Sequence, residues 1–219
     1  MDVTVTGIER KARGVVAVTV SDGGDRLHLL PLEALILHRI HSGATFPREE
    51  WERIRSDAAV LLATRTGLEL LSRKQRTEQE LREAFAGDFL PADIDGALAR
   101  LHELGYLDDS AWAARYVATA RAGGRGEAAL RRELRSHGIS DDDIVDALDG
   151  RDDVDAALET ARKRARSLRS LDEERQQRRL YDFLRRRGFG DAVARHASDA
   201  ALAEARAGSS GLEAASPAV

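Results

Sequence analysis

One phrase recurs in this chain and restricts its fold more than anything else. Leu134-Arg-Ser-His-Gly138-Ile139 is repeated as Leu184-Arg-Arg-Arg-Gly188-Phe189: a leucine, three polar residues, a glycine and a large apolar residue. The leucine closes an amphipathic helix, since Leu130 and Leu134 lie one turn apart on one face. The glycine stands where a helix needs a left-handed stop, and the apolar residue after it turns back into the core. Ser140 then suits the N-cap of a second helix, with Asp141, Asp142 and Asp143 at its positive end. Ile144 and Leu148 rebuild an apolar face. A looser copy, with three more residues in its turn, runs from Glu80 and Leu81 to Ile94 and Leu98. A helix–turn–helix unit met three times predicts a repeat architecture.

Helical periodicity and stop signals place the units. They read 58–72, 78–86 and 91–104, then 109–122, 126–137 and 141–149, then 152–166, 171–187 and 191–205. Pro47 is placed at the first turn of a linking helix with a possible break at Gly67. Thr77 and Glu80 have the spacing of a capping box, and Pro91 and Asp108 open further helices. Before the array, Val3, Val5, Val15, Val16, Val18 and Val20 partly alternate, and Asp22-Gly23-Gly24 is a hairpin turn. Leu27 to Leu30 suits a third strand and Leu32 to Ile40 a short helix. This segment reads either as a docking cap or, more simply, as a lid over the first helical unit.

The expected fold class is therefore mainly α: an elongated, curved array of three tandem three-helix repeats behind a small N-terminal β-rich segment. The expected divisions are a β segment over 1–46, a linking helix and first repeat over 47–107, a second repeat over 108–150 and a third over 151–207. A disordered tail is expected over 208–219.

With aromatics at 5% and charged residues at 33%, the 219 residues favour thin helical layers over one large core. There is no cysteine, so neither disulfides nor thiolate metal sites arise. No apolar run has the length of a membrane span, and the N-terminus lacks a signal-peptide core, so a cytoplasmic protein with no membrane partner is expected. His38 and His41 lie three apart without a third ligand and read as surface or packing histidines. Gly123-Gly-Arg-Gly126 lacks the lysine and hydroxyl of a phosphate loop and reads as a hinge. The aspartate clusters at 108–109 and 141–143 sit at helix starts, which explains them. No nucleophile has a nearby base. No enzyme, metal or cofactor is expected.

Charge is distributed in blocks. Five arginines and two glutamates lie between Arg121 and Arg135, and nine acidic residues between Asp141 and Glu159 oppose Arg151 alone. From Arg162 to Arg187 there are eleven basic and four acidic residues, a net +7 inside a chain of net charge −4. That block is weighed as a positive stripe for a nucleic-acid backbone or an acidic protein surface, against a plain solvated face bridged by local carboxylates. No RNP motif or zinc finger accompanies it, so base-specific reading is not expected.

Several stretches together resemble one family. They are Leu68-Glu-Leu-Leu-Ser-Arg-Lys-Gln-Arg-Thr-Glu-Gln-Glu-Leu81 and Leu101-His-Glu-Leu-Gly-Tyr-Leu-Asp-Asp109. With them go Gly126 followed by Arg131-Arg-Glu-Leu134 and Gly138-Ile139, then Phe183-Leu-Arg-Arg-Arg-Gly-Phe189 and the N-terminal Val5-Thr-Gly-Ile-Glu-Arg10. In order and spacing this set is similar to the RecX family of recombinase regulators, over roughly residues 1–200. One departure is that Val193 falls four residues after Phe189, where Ile144 falls five after Ile139. The resemblance implies a non-catalytic regulator that lies along the RecA–DNA filament and restrains its ATPase, strand-exchange and co-protease activities. It implies the RecA filament and single- or double-stranded DNA backbone as partners, with a monomeric chain. The arginines expected to carry those contacts are Arg178, Arg179, Arg185, Arg186 and Arg187, with Arg131, Arg132 and Arg135 next. Tyr106, Trp112 and Phe189 are expected to pack between repeats. The alternative is a stand-alone DNA-binding helical module or transcription repressor.

Overall fold

The structure, a computed structural model, describes residues 2–119 and 123–213. It is mainly helical, with a small N-terminal antiparallel sheet, and the chain divides into two compact units at residues 108 and 109.

In the first unit, β1 (Asp2–Arg10), β2 (Val15–Ser21), β3 (Asp25–Pro31) and β4 (Thr45–Pro47) form a sheet of order β3-β2-β1-β4. The β2–β3 hairpin turns at Asp22–Gly24, with Gly23 at φ 105°. The short α1 (Leu32–Leu37) follows β3. The fourth strand is not legible from composition, because it is three residues long and contains a proline. Pro47 pairs with Asp2 on the outer strand and also precedes the next helix as its N-cap, instead of lying in its first turn.

The helix α2 (Arg48–Arg73) serves two cores. Its first half closes the sheet: Trp51, Ile54 and Ala58 are buried with Val3, Val18, Val20 and Phe46. Its second half joins α3 (Glu78–Phe85) and α4 (Pro91–Glu103), where Leu68 and Leu71 pack on Leu81, Phe85, Leu98 and Leu101. Gly67 does not interrupt α2. A β-carbon there would stand 2.7 Å from Leu101 Cδ1, so the glycine permits close helix packing rather than a break. Thr77 Oγ1 accepts from Glu80 N at 3.2 Å, the forward half of the capping box. The turn from α3 to α4 uses no left-handed glycine, so the looser first copy is looser in backbone as well as in sequence.

The second unit contains α5 (Asp109–Ala118), α6 (Glu127–Ser136) and α7 (Asp141–Leu148), then α8 (Asp153–Ala165), α9 (Glu173–Arg186) and α10 (Asp191–Glu213). Here the recurring phrase has one geometry twice. Gly138 and Gly188 have φ of 80° and 88°. Ile139 N donates to Leu134 O at 3.1 Å, and Phe189 N to Leu184 O at 3.2 Å. These are Schellman closures, which return the following apolar residue to the helix it has just left. Ile139 and Phe189 are buried accordingly, each in its own core. Ser140 and Asp172 cap the helices after them by accepting from Asp143 N and Arg175 N.

The one-residue departure after Phe189 resolves simply. Ala194, five residues on, is fully buried in the place that Ile144 takes in the preceding repeat, while Val193 is half-buried beside it. The helix α10 continues to Glu213, past the point where the sequence suggests a tail; its Ala-rich stretch is favourable to helix. Residues 214–219 lie outside the described residues.

The two repeats of this unit touch backbone to backbone. Gly126 N donates to Arg187 O at 2.9 Å. A β-carbon on Gly126 would stand 2.4 Å from Phe189 N and 2.5 Å from Gly188 C. Arg151 Nη2 donates to Arg125 O at 2.6 Å, and Asp153 Oδ2 accepts from Glu127 N at 3.0 Å. Gly126 therefore does not hinge; it is pinned to the next repeat.

This packing predicts the stability of three variants. Leu134→Ala opens a fully buried site and is expected to cost about 2–5 kcal/mol in urea denaturation. Gly126→Ala keeps an ordinary φ of −77° yet collides with backbone, so it is expected to cost about 1–3 kcal/mol. Gly190→Ala, where a β-carbon meets nothing within 4 Å, is expected to leave the melting temperature near wild type.

Candidate interaction surface

The eight arginines expected to make contacts fall into two classes. Arg131 Nε donates to Glu127 at 2.7 Å, and Arg135 Nε to Asp141 at 2.8 Å. Arg185 Nη1 donates to Phe189 O at 2.8 Å and so braces the Schellman turn. Arg187 Nη1 donates to Gly124 O at 3.1 Å, tying the end of α9 to the loop before α6. These four have structural partners within the chain. Arg132, Arg178, Arg179 and Arg186 are exposed and, among the described residues, make no ion pair or side-chain hydrogen bond.

Helix α9 explains that division. Leu180 and Leu184 define its buried stripe. Arg175, Arg178, Arg179, Arg185 and Arg186 occupy the opposite arc, so the sequence places them together on solvent. Of these, Arg175 is held by Asp172 at 3.2 Å.

Two cavities flank α9. The larger, of about 770 Å³, is lined by Glu173, Glu174 and Asp199 together with Arg178, Arg195 and Arg206. Its charges balance and are largely engaged: Arg206 pairs with Glu173, and Arg195 with Asp191. Tyr181 also donates to Asp191. That bond, then the Arg195 guanidinium, hold the Asp191 carboxyl below its ordinary range.

The second cleft, of about 560 Å³, has a different character. It lies between the second and third repeats and is lined by Lys163 and Arg164 from α8, Phe183 and Arg187 from α9, and Gly123 and Gly124 from the loop before α6. Arg164 Cζ and Arg187 Cζ stand 5.4 and 5.1 Å from the Phe183 ring centroid, within cation–π range. The one carboxylate in its lining, Glu159, is bound to Lys163 at 2.7 Å. The expected set contains Arg187 but not Lys163, Arg164 or Phe183. The sequence signal was present, since all lie in the +7 block. Which members converge depends on how α8 folds back beside α9.

The aromatic expectations divide similarly. Phe189 is buried against the junction with Gly126. Trp112 stacks within its own repeat, 5.1 Å from Tyr116 and 4.8 Å from His137. Tyr106 is 60% exposed, contrary to the packing expected of it; the turn at Gly105 directs Leu107 inward instead. Its solvent-facing ring is therefore a surface feature. His38 lies 3.4 Å from Asp57, and His41 contacts the neighbouring Ser42 carbonyl. Among the described residues no three His, Asp or Glu side chains gather as metal ligands, and no helix is long and apolar enough to cross a membrane.

Comparison with known proteins agrees with this architecture. Residues 108–148 match the family model described as the RecX second three-helix domain, and residues 151–197 match the third. The regulatory protein RecX of Mycobacterium tuberculosis is 36% identical over 151 residues, 64% of this chain and 85% of that protein. The one from Lacticaseibacillus paracasei is 29% identical over 164 residues, 73% of this chain and 68% of its own length. A solved structure described as that of regulatory protein RecX has a TM-score of 0.69 at 26% identity, covering 90% of this chain and 99% of that one. By its helical repeats and by these relatives, the chain belongs to the RecX family of regulatory proteins.

Proposed function

We propose that this chain is a non-catalytic regulator that binds the RecA–DNA filament and restrains RecA's ATPase, strand-exchange and co-protease activities. Family membership supports the regulatory role. The observation that carries a contact role for the helical array is the set of exposed arginines without partners on α9, Arg178, Arg179 and Arg186, joined by Arg132 on α6. Arg131 and Arg135 spend their charges on local carboxylates. Arg178, Arg179 and Arg186 crowd one face of α9 without a carboxylate partner among the described residues, which suits an external anion.

A modular chain suits a polymeric partner. Residues 47–107, 108–150 and 151–207 act as successive modules, each offering a weak contact. Contacts on one chain add through effective concentration, so a filament with repeated sites is bound far more tightly than one isolated subunit. In this reading the protein works as a monomer in the cytoplasm. The free arginines meet RecA or the DNA backbone, and the paired ones hold the repeats in shape.

The free arginines also favour a second reading, a DNA-binding module that acts without RecA. The two separate in one assay. Inhibition of RecA's DNA-dependent ATPase at less than one molecule per RecA subunit is expected, and no effect at micromolar excess would sink the filament reading. Within that assay, changing Arg178, Arg179 and Arg186 together to Gln is expected to raise the half-inhibitory concentration about tenfold. Changing Arg131 and Arg135 to Gln is expected to shift it by no more than about twofold, because those charges are already spent on local carboxylates.

A further inference from the structure

The cleft between the second and third repeats is built from three separate segments, and each contributes a different chemical element. The loop before α6 contributes Gly123 and Gly124. A β-carbon on Gly124 would stand 2.9 Å from Arg187 Nη1, so this glycine makes room for the guanidinium. Helix α8 contributes Lys163 and Arg164, and helix α9 contributes Phe183 and Arg187.

Arg164 is the informative residue. Its guanidinium sits over the Phe183 ring, and among the described residues its side chain makes no hydrogen bond and no ion pair. The ring attracts the charge of the guanidinium, and with no hydrogen bond or ion pair its N–H donors remain available. A planar fork already held against a ring loses less freedom when it binds, and its donors match two oxygens of a tetrahedral anion. Arg187, over the same ring, spends one donor on Gly124 O and keeps the others. Lys163 shares Glu159, but both are well exposed, so that pair is weak and readily exchanged.

The charge does not stop at the cleft. Arg179 and Arg186 lie four residues before and three after Phe183, so they share its flank of α9. Both are exposed and unpaired. A single carboxylate from a protein would answer one or two of these cations. A linear polyanion would answer the cleft and its rim in succession. We propose that the cleft formed by Gly124, Lys163, Arg164, Phe183 and Arg187 is a phosphate site that seats one phosphodiester of a nucleic-acid strand, with Arg179 and Arg186 holding the neighbouring phosphates. This deepens the filament reading, because it assigns the DNA-facing contact to this cleft.

The test uses the full chain and a short fluorescent oligothymidylate, with anisotropy measured over a salt series. Arg164→Gln is expected to weaken binding about three- to tenfold and to reduce the slope of log affinity against log salt by roughly one. Phe183→Leu keeps the wall apolar but removes the ring that positions both guanidiniums, and is expected to weaken binding in the same direction. Arg53→Gln on α2 removes one exposed positive charge elsewhere and is the control, expected to leave the slope unchanged. An unchanged slope in Arg164→Gln, or equal losses in Arg164→Gln and Arg53→Gln, would overturn the site. So would Arg164-dependent binding of free ATP without strand binding, which would make it a mononucleotide pocket. Wild-type inhibition of RecA is measured beside these. Inhibition that persists while Arg164→Gln binds the strand normally removes the cleft and keeps the filament reading. Arg164-dependent strand binding without any effect on RecA does the reverse.

Discussion

The structure of the second unit depends on a contact that involves no side chain. Gly126 N–H meets the carbonyl of Arg187 at 2.9 Å, and the backbone at Gly188 and Phe189 fills the space where any larger residue at 126 would need its β-carbon. Such an approach brings two helix termini closer than side-chain packing allows. It also explains why a glycine is needed on each side. Gly188 ends α9 in the left-handed conformation and at the same time lies flat against Ala129, 2.5 Å from where its own β-carbon would be. One residue thus closes a helix and joins two repeats.

The consequences extend to the charged residues. With the repeats joined, the end of α9 is held beside the loop before α6, so Arg187 finds Gly124 O; within the third repeat, Phe183 meets Arg164 of α8. Elsewhere several arginines are paired. Arg162 grips Glu204 with two bonds of 2.6 and 2.7 Å, Arg206 takes Glu173, and Arg82 takes Glu78 and Asp95. Exposed pairs of this kind contribute little stability each. What sets α9 apart is crowding, since Arg178, Arg179 and Arg186 share one exposed face of a single helix without a carboxylate partner among the described residues.

Much of the architecture was legible because it rests on local rules. A left-handed stop followed by a buried apolar residue is written in six letters, and Gly138 and Gly188 both obey it. Caps at Thr77 and Ser140 were equally plain, since each is satisfied within three residues. The readings that failed were those that needed a distant partner. Gly67 reads as a break in sequence, but Leu101 and Phe85 pack against it. Three residues ending in a proline did not look like a strand until Asp2 to Thr4 lay beside them. Tyr106 looked like packing, but the turn before it gave the inward place to Leu107. On α9, the basic block is visible as composition, whereas the loss of Arg185 and Arg187, two of its five expected members, to internal partners is not.

By itself the sequence determined the helical class, the repeated turn and the concentration of positive charge between Arg162 and Arg187. Periodicity, capping and left-handed glycine act over a few residues and are fully stated by the order of those residues. Only the tertiary structure decided which arginines remain free and which close around Phe183. That choice depends on residues far apart in the sequence: Gly124 meets Arg187 beside the backbone contact at Gly126, and Arg164 meets Phe183 where α8 packs beside α9.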